Sequence, residues 1–116
     1  MTDLEMTRLC AEAMGLTVKY RKTIHNKVSG GGYVLDSLEF YANHRFWLTY
    51  DPLQDDAQAM ALVKKFDLQI GSYPLRPDKW CVWPPVGRTG RAFSEDLNRA
   101  IVECMAKMQS AKAVQS

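Results

Sequence analysis

The residues best suited to chemistry in this 116-residue chain lie in the segment 84–91, which reads Pro-Pro-Val-Gly-Arg-Thr-Gly-Arg. Glycines let backbone amides approach an anion, and guanidinium groups form paired hydrogen bonds with phosphate oxygens. Arg88, Thr89 and Arg91 are therefore candidate ligands for a phosphate group or for an acidic partner. The segment also leads towards a predicted helix start at Ser94, and helix N-termini favour anions. It lacks the GxxxxGK[ST] pattern of a P-loop, so an ordinary flexible loop is the competing interpretation.

Aromatic side chains that precede this loop could supply the apolar part of the same site. Tyr73, Trp80 and Trp83 are the candidates. Because residues three apart in a strand point to opposite faces, one tryptophan is expected to pack inside and the other to face outward. An outward indole is a typical anchor for a protein partner or a stacking surface for a base. A helix that covers that face is the alternative.

A basic segment offers an alternative site for nucleic acid. Lys19, Arg21, Lys22 and Lys27 lie in the stretch 19–27, which contains no acidic residue and one tyrosine. Basic residues interleaved with an aromatic are typical of nucleic-acid surfaces, although a solvated strand has the same pattern. The net charge of +2 is too small to decide between them.

No catalytic or metal-binding pattern is present in the sequence. The two histidines stand apart without HxxxH spacing, and the three cysteines form no CxxC pair. Cys81 lies between two tryptophans, where burial is a better interpretation than nucleophilic catalysis. The adjacent acids Asp55 and Asp56 are expected at a helix N-terminus, where the helix dipole favours them. We therefore predict a protein that is not an enzyme and that uses no cofactor and no metal.

The composition predicts an ordinary globule that consists of one domain. Hydrophobic residues make up 47% and charged residues 24% of the chain, which argues against disorder. We assign residues 1–108 to the domain and 109–116 to a flexible tail. The longest apolar runs fall far short of the ~18 residues that span a bilayer, and the acidic start does not resemble a signal peptide. A cytoplasmic location is expected.

Three helices are predicted from caps and apolar periodicity. The first begins with a capping box at Thr2 and Glu5 and closes at Gly15. The second starts at Asp55 or Asp51 and ends near Phe66. The third is capped by Ser94 and has the clearest helical stripe. That stripe consists of Leu97, Ala100, Ile101, Cys104, Met105 and Met108.

Short strands are predicted between these helices. One hairpin has its turn at Ser29–Gly32, and the residues Leu38–Tyr41 are expected to form a short helical turn. Arg45–Tyr50 suits a strand or a packed loop. A second hairpin joins Leu68–Ile70 to Lys79–Trp83. The fold class that follows is α/β or α+β, a small α-β-α sandwich in which a short, mainly antiparallel sheet is covered by about three helices.

Two segments resemble a known family. Tyr50–Val63, which contains DDAQAMAL, and Asp96–Met108, which contains NRAI, are separated by a tryptophan-bearing strand. Together they resemble the phage ABA sandwich domain family of small phage and prophage proteins. The resemblance covers residues 50–108 well, the first helix loosely, and residues 19–47 hardly at all. It implies an α-β-α sandwich encoded by a phage and present in the cytoplasm of a bacterial host, and it implies no reaction.

These observations predict a non-catalytic phage accessory protein that acts by binding. Its expected partner is a host protein or a small phosphorylated ligand such as a signalling nucleotide, which it would sequester from a host defence. A nucleic-acid-binding module that uses residues 19–27 is the alternative. Membrane binding is not expected. Assembly into a symmetric homo-oligomer stays open, because many small binding proteins form dimers.

Overall fold

The computed structural model describes the backbone of residues 1–26, 32–42, 46–73 and 76–115, and the side chains of residues 1–20, 38–40, 48–72 and 79–111. The elements in chain order are α1 (Asp3–Ala13), β1 (Val18–Asn26), β2 (Gly32–Ala42), β3 (Phe46–Tyr50), α2 (Asp56–Phe66), β4 (Gln69–Tyr73), β5 (Arg76–Trp83), β6 (Ala92–Ser94) and α3 (Leu97–Gln115). The predicted α+β class with three helices and antiparallel strands is confirmed. The strands of the described chain form two three-stranded sheets, where the sequence predicts one.

Helix α1 begins and ends as its sequence predicts. The Thr2 hydroxyl accepts a hydrogen bond from the backbone N–H of Glu5 at 3.1 Å, and the Glu5 carboxylate accepts one from the N–H of Thr2 at 3.2 Å. At the other end Gly15 has a φ of +75°, and the N–H groups of Gly15 and Leu16 donate to the carbonyls of Glu12 and Ala11. This is a Schellman motif, which needs a residue that tolerates positive φ.

The first sheet has the order β1-β2-β3, and both pairs are antiparallel. The predicted first hairpin is confirmed by pairing from Val18 with Phe40 to Asn26 with Gly32, and most of its expected turn lies outside the described residues. The helical turn predicted at Leu38–Tyr41 is wrong. Phe40 pairs with Val18 on one side and with Leu48 on the other, so long-range hydrogen bonding places this segment in the central strand.

Helix α2 is capped by Asp55, one of the two predicted candidates. The Asp55 carboxylate accepts a hydrogen bond from the N–H of Gln58 at 3.0 Å. The Gln58 side chain also binds the end of β3, because its amide nitrogen donates to the Thr49 carbonyl at 3.0 Å and its oxygen accepts from the Asp51 N–H at 2.7 Å. The helix ends after Phe66 at Asp67, whose φ is +54°.

The second sheet has the order β4-β5-β6, again antiparallel throughout. The predicted β4–β5 hairpin is confirmed. Strand β6 is not predicted by the sequence, since three residues are too few for alternation to show. Its residues Ala92, Phe93 and Ser94 pair with Val82, Cys81 and Trp80.

Helix α3 supplies the centre of the core. Its predicted apolar stripe is confirmed, and Ile101 and Cys104 have no exposed surface. Asp96, and not Ser94 as predicted, caps the helix: its carboxylate accepts from the N–H of Asn98, while the Ser94 hydroxyl accepts from the N–H of Asp96. Helix α3 extends to Gln115. The predicted flexibility of residues 109–116 stays a prediction.

The core joins all three helices to both sheets. Arg99 of α3 holds the first turn of α1, since both of its terminal nitrogens donate to the Asp3 carboxylate at 2.9 and 2.8 Å. Tyr50, in β3 of the first sheet, is one of the buried core residues, and its ring packs edge-on against Phe40. The other buried core residues include Met6, Cys10, Ala11, Ala59, Leu62, Leu68, Val82, Ala92, Ile101, Val102, Cys104, Met105 and Met108.

Candidate functional site

The second sheet has one face against the core and one face that looks away from it. Val82 and Ala92 pair with each other and are fully buried in the core that α3 shares. Because side chains alternate along a strand, Gly71, Cys81 and Phe93, which pair in one row, lie on the opposite face. We call this second face the outer face.

Trp83 lies on the outer face beside a glycine that makes room for it. A Cβ atom built on Gly71 would lie 3.1 Å from Cζ3 of the Trp83 ring, so the indole occupies the space that a side chain at residue 71 would need. Trp83 also pairs with Gln69, and both line an open groove of about 590 Å³. The segment 84–91 forms the rest of this groove.

The tip of the loop is a hydrogen-bonded turn. The N–H of Arg88 donates to the Pro85 carbonyl at 3.1 Å, and Gly87, the third residue of the turn, has a φ of +87°. Positive φ at that position is the requirement of a type II turn and explains the glycine. Val86 is fully exposed at the tip.

The C-terminal end of the loop, at Gly90 and Arg91, packs against the middle of α3. A Cβ atom on Gly90 would lie 3.0 Å from both the Cys104 carbonyl oxygen and Cγ of Met108, and Lys107 Nζ donates to the Arg91 carbonyl at 3.0 Å. Cys104 is seven residues beyond the start of α3, about 10 Å along the axis. The prediction that the loop leads into a helix N-terminus is therefore wrong, because β6 intervenes and Asp96 occupies that N-terminus.

The two predicted arginines both reach the groove, and both are exposed. Among the residues whose side chains are described, no carboxylate lies within ion-pair distance of Arg88 or Arg91. The Arg91 guanidinium lies 5.4 Å from the centre of the Phe93 ring, a distance suited to a cation–π contact. Thr89 is exposed between the arginines and lines the same groove.

The two tryptophans lie on opposite faces of β5, as their spacing predicts, but their exposure differs from the simple expectation. Trp80 is on the core face and is 43% exposed, because it pairs with Ser72 and Ser94 at the end of the sheet. Trp83 is on the outer face and is half-buried against Gly71. The structure thus brings Trp83 to the arginines and places Trp80 on the other side. The backbone of Tyr73 pairs with Arg76, and its side chain lies outside the described residues.

The basic residues of the segment 19–27 do not share one face of β1. Lys19 and Arg21 occupy one face of β1, and Lys22 occupies the other. Across the sheet Lys19 is opposite Glu39, and Lys22 is opposite Asp36, so acids of β2 accompany two of the lysines. Lys27 lies outside the described residues, as do the side chains of Arg21 and Lys22.

The three cysteine thiols are buried and free. Burial raises the pKa of Cys10 to about 12 and that of Cys104 to about 11. Burial also raises the pKa of Cys81, although the nearby charge of Arg91 lowers it in part. A raised pKa keeps a thiol protonated at neutral pH, which agrees with the interpretation of Cys81 as structural. His25 and His44 have no described side chain.

The described part of the chain contains no group of three or more histidine, cysteine, aspartate and glutamate residues that could hold a metal ion. Within the same residues, no helix has the length and apolar character that spanning a membrane requires.

Three residues of the outer face are not predicted by the sequence as part of the candidate site: Gln69, Gly71 and Phe93. They reach Trp83 and Arg91 through the strand register, and the sequence does not predict β6 at all. The one available signal is the glycine at residue 71 inside a predicted strand, which often marks a close approach by another group.

Comparison with known proteins finds no relative of this chain. No family model matches the chain, and neither a curated protein nor a solved structure matches it. The resemblance to phage ABA sandwich domains therefore stays a prediction.

Proposed function

We propose that the protein acts by binding a small phosphorylated ligand with a planar ring, such as a nucleotide, in the groove between the outer face and the loop 84–91. The observation that supports this proposal is the pair of exposed arginines, Arg88 and Arg91, which line one groove together with the Trp83 indole and have no carboxylate partner among the described side chains.

Each part of the groove has a role in this proposal. The guanidinium groups bind phosphate oxygens, the Thr89 hydroxyl donates a further hydrogen bond, and the indole packs against the base. The glycines at 87 and 90 define the turn and seat the loop on α3, so the arginines are held on a fixed support. Pre-organisation of this kind reduces the entropy that binding costs.

The biological role that we propose for this binding is sequestration. A phage protein with this site would remove a host signalling nucleotide from a defence pathway, and it would need no catalytic residue to do so. A host protein with an acidic surface is the other partner that the same arginines could bind.

Native mass spectrometry tests the proposal with ATP, cyclic AMP, cyclic di-GMP, inorganic phosphate and a short single-stranded oligonucleotide. We expect a nucleotide adduct, and an affinity at least about tenfold lower for the double variant Arg88→Ala/Arg91→Ala, because a hydrogen bond to a charged group contributes about 1.5–3 kcal/mol. Arg8→Ala removes an exposed arginine from α1, far along the chain from the groove, and is the matched control.

Two outcomes contradict the proposal. One is a double variant that binds nucleotide as tightly as the unaltered protein. The other is a protein that ignores every nucleotide in the series, which would favour a protein partner instead. The variant Trp83→Ala distinguishes the contribution of the indole from that of the arginines. It should weaken nucleotide binding and leave the binding of inorganic phosphate unchanged.

The oligonucleotide in this series also tests the alternative site in β1. Binding through Lys19, Arg21, Lys22 and Lys27 would fall steeply with salt, as expected when phosphate contacts release counterions. The acids opposite Lys19 and Lys22 in the register favour the groove over this alternative.

A further inference from the structure

The outer face of the second sheet carries a second aromatic ring, which does not line the groove. Phe93 is the middle residue of β6 and is 37% exposed. It pairs with Cys81, and Trp83 lies two residues further along β5 on the same face. Diagonal neighbours of this kind have Cβ atoms about 7 Å apart. Trp83 and Phe93 are therefore neighbouring rings on one face of the sheet.

Among the described side chains, these two rings supply the accessible apolar surface of the outer face. Gly71 has no side chain, and Cys81 has no exposed surface. The Trp83 ring lies 3.1 Å from the position of a Cβ atom on Gly71, so it covers that residue. Proteins that bind single strands through a sheet stack successive bases on aromatic residues of an exposed face. The outer face has this arrangement.

Arg91 places a positive charge close to both rings. It directly precedes β6, and its guanidinium carbon lies 5.4 Å from the centre of the Phe93 ring. Burial raises the pKa of Cys81, and the charge of Arg91 acts on that pKa in the opposite direction, so the guanidinium is near this central residue of the face. Arg91 also lines the groove that contains Trp83. This position suits a phosphate that joins two nucleotides.

The charge of the outer face is complementary to that of a nucleic acid strand. Lys107 of α3 adds a third cation beside Arg88 and Arg91, since its Nζ donates to the Arg91 carbonyl at 3.0 Å. Neither arginine has a carboxylate within ion-pair distance among the described side chains. The outer-face residues identified above include no acid; they are Gln69, Gly71, Cys81, Trp83 and Phe93.

The spacing of the two rings favours a single strand over a duplex. Stacked bases in a duplex rise by about 3.4 Å per nucleotide, which is about half the separation of the two Cβ atoms. The bases of a duplex also keep their flat faces inside the stack, whereas a single strand can turn each base onto an aromatic ring. A duplex could therefore use the cations of this face but not its rings.

We propose that the outer face binds single-stranded nucleic acid, with two successive bases stacked on Trp83 and Phe93. Arg91 binds the phosphate between these two nucleotides, and Arg88 binds the next phosphate along the groove. This inference rests on the proposed function, because Trp83 and the arginines belong to the nucleotide groove. It adds Phe93 to the site and extends the ligand from one nucleotide to a strand.

The fluorescence anisotropy of labelled oligothymidylate and oligouridylate tests this inference. Strands of about ten nucleotides fall within the range of about 4–16 that one single-strand site covers. Thymidine and uridine monophosphates and a DNA duplex of the same length serve as competitors. We expect at least one of the two strands to bind at least about tenfold more tightly than its mononucleotide and than the duplex, and the tighter strand identifies the preferred sugar. Strands that bind no more tightly than the mononucleotides or the duplex overturn the inference.

The variant Phe93→Leu keeps an apolar side chain and removes the flat ring. It should weaken strand binding at least about fivefold, because the stacking of one base is lost. Trp80→Leu is the matched control, since it removes a 43% exposed indole from the opposite face of β5 and should leave strand binding unchanged. Unchanged strand binding in Phe93→Leu would overturn the inference and assign the binding to another surface, such as β1.

The same variant keeps this inference separate from the proposed function. Phe93 does not line the groove, so the binding of mononucleotides should be identical in Phe93→Leu and in the unaltered protein. A protein that binds mononucleotides but binds strands no more tightly contradicts only the inference. A protein that binds no mononucleotide, and whose strand binding depends on Phe93, contradicts only the proposed function.

Discussion

At the scale of single residues, Gln58 connects the end of β3 to α2. Its amide group donates to the Thr49 carbonyl and accepts from the Asp51 N–H, so it makes the hydrogen bonds that a neighbouring strand would make at this edge. A strand edge with unpaired backbone groups is a template for association with other chains. Gln58 therefore stabilises the β3–α2 connection and closes part of this edge.

We predict that Gln58→Ala lowers the free energy of unfolding by about 1–2 kcal/mol, because two backbone groups lose their partners. Urea denaturation measures the change. Gln54→Ala is the matched control, since Gln54 is exposed nearby and its side chain makes no hydrogen bond with the described residues. Equal stability of the two variants would show that the bridge contributes nothing in solution.

The residues of the candidate site differ in how far the sequence predicts them. Arg88, Thr89 and Arg91 are nearly contiguous, and the composition of their segment is enough to identify them. Gly71 and Phe93 join them only through strand pairing, which depends on residues about ten positions away. Trp80 and Trp83 are close in sequence, yet alternation along β5 places Trp80 on the other face of the sheet.

At the scale of elements, the loop 84–91 and α3 fit together through one glycine. Gly90 has a φ of +141°, and a Cβ atom there would lie 3.0 Å from the Cys104 carbonyl oxygen of α3. Gly87 has a φ of +87°, and a Cβ atom at that residue would have no neighbour within 4 Å. A side chain at residue 87 would therefore impose backbone strain alone, whereas a side chain at residue 90 would impose backbone strain and a steric clash with α3.

We predict that Gly90→Ala destabilises the protein by about 2–4 kcal/mol and that Gly87→Ala does so by about 1–2 kcal/mol. Both changes impose the strain of positive φ, which is about 1–2 kcal/mol for a residue with a Cβ, and Gly90→Ala adds the clash with α3. Thermal or urea unfolding of the pair measures the difference. If Gly87→Ala proves the more damaging of the two, the close contact between loop and helix is not present in solution.

The sequence predicts some elements better than others, for a physical reason. The sequence predicts both ends of α1 and the start of α2 from the residues Thr2, Gly15 and Asp55, because their capping hydrogen bonds are local. The helical turn predicted at Leu38–Tyr41 is wrong because its four residues have no decisive periodicity, and pairing with β1 and β3 decides their conformation. Likewise, the division of the strands into two sheets depends on contacts that no local pattern encodes.

At the scale of the whole molecule, burial makes the stability of the fold sensitive to alkaline pH. Cys10, Cys104 and Tyr50 have raised pKa values, in each case mainly because burial disfavours the charged form. The hydroxyl of Tyr50 is also buried without a hydrogen-bond partner in the described structure. These groups release their protons more readily in the unfolded chain than in the folded one.

We therefore predict that the free energy of unfolding falls as the pH rises above about 9. The unfolded chain then binds fewer protons than the folded protein, so each group that ionises only on unfolding lowers stability by up to about 1.4 kcal/mol per pH unit. The loss continues until the pH reaches the raised pKa values of the folded state. Urea denaturation under reducing conditions at pH 7.5, 9 and 10.5 measures it.

The variant Cys10→Ala identifies one of the groups responsible. It should be less stable than the unaltered protein at pH 7.5, because it leaves a small cavity, but its stability should fall less steeply above pH 9. Identical slopes for the two proteins would contradict the assignment of Cys10 as a group that stays protonated in the folded state.

The order of pairing along the chain has a consequence for biosynthesis. Every described strand pairs with a strand next to it in sequence, so each sheet can form as soon as its own residues leave the ribosome. The core face of the second sheet and the sides of α1 and α2 that contact α3 have no cover until that helix emerges. A nascent chain that has reached Ser94 therefore exposes apolar surface of the kind that chaperones bind.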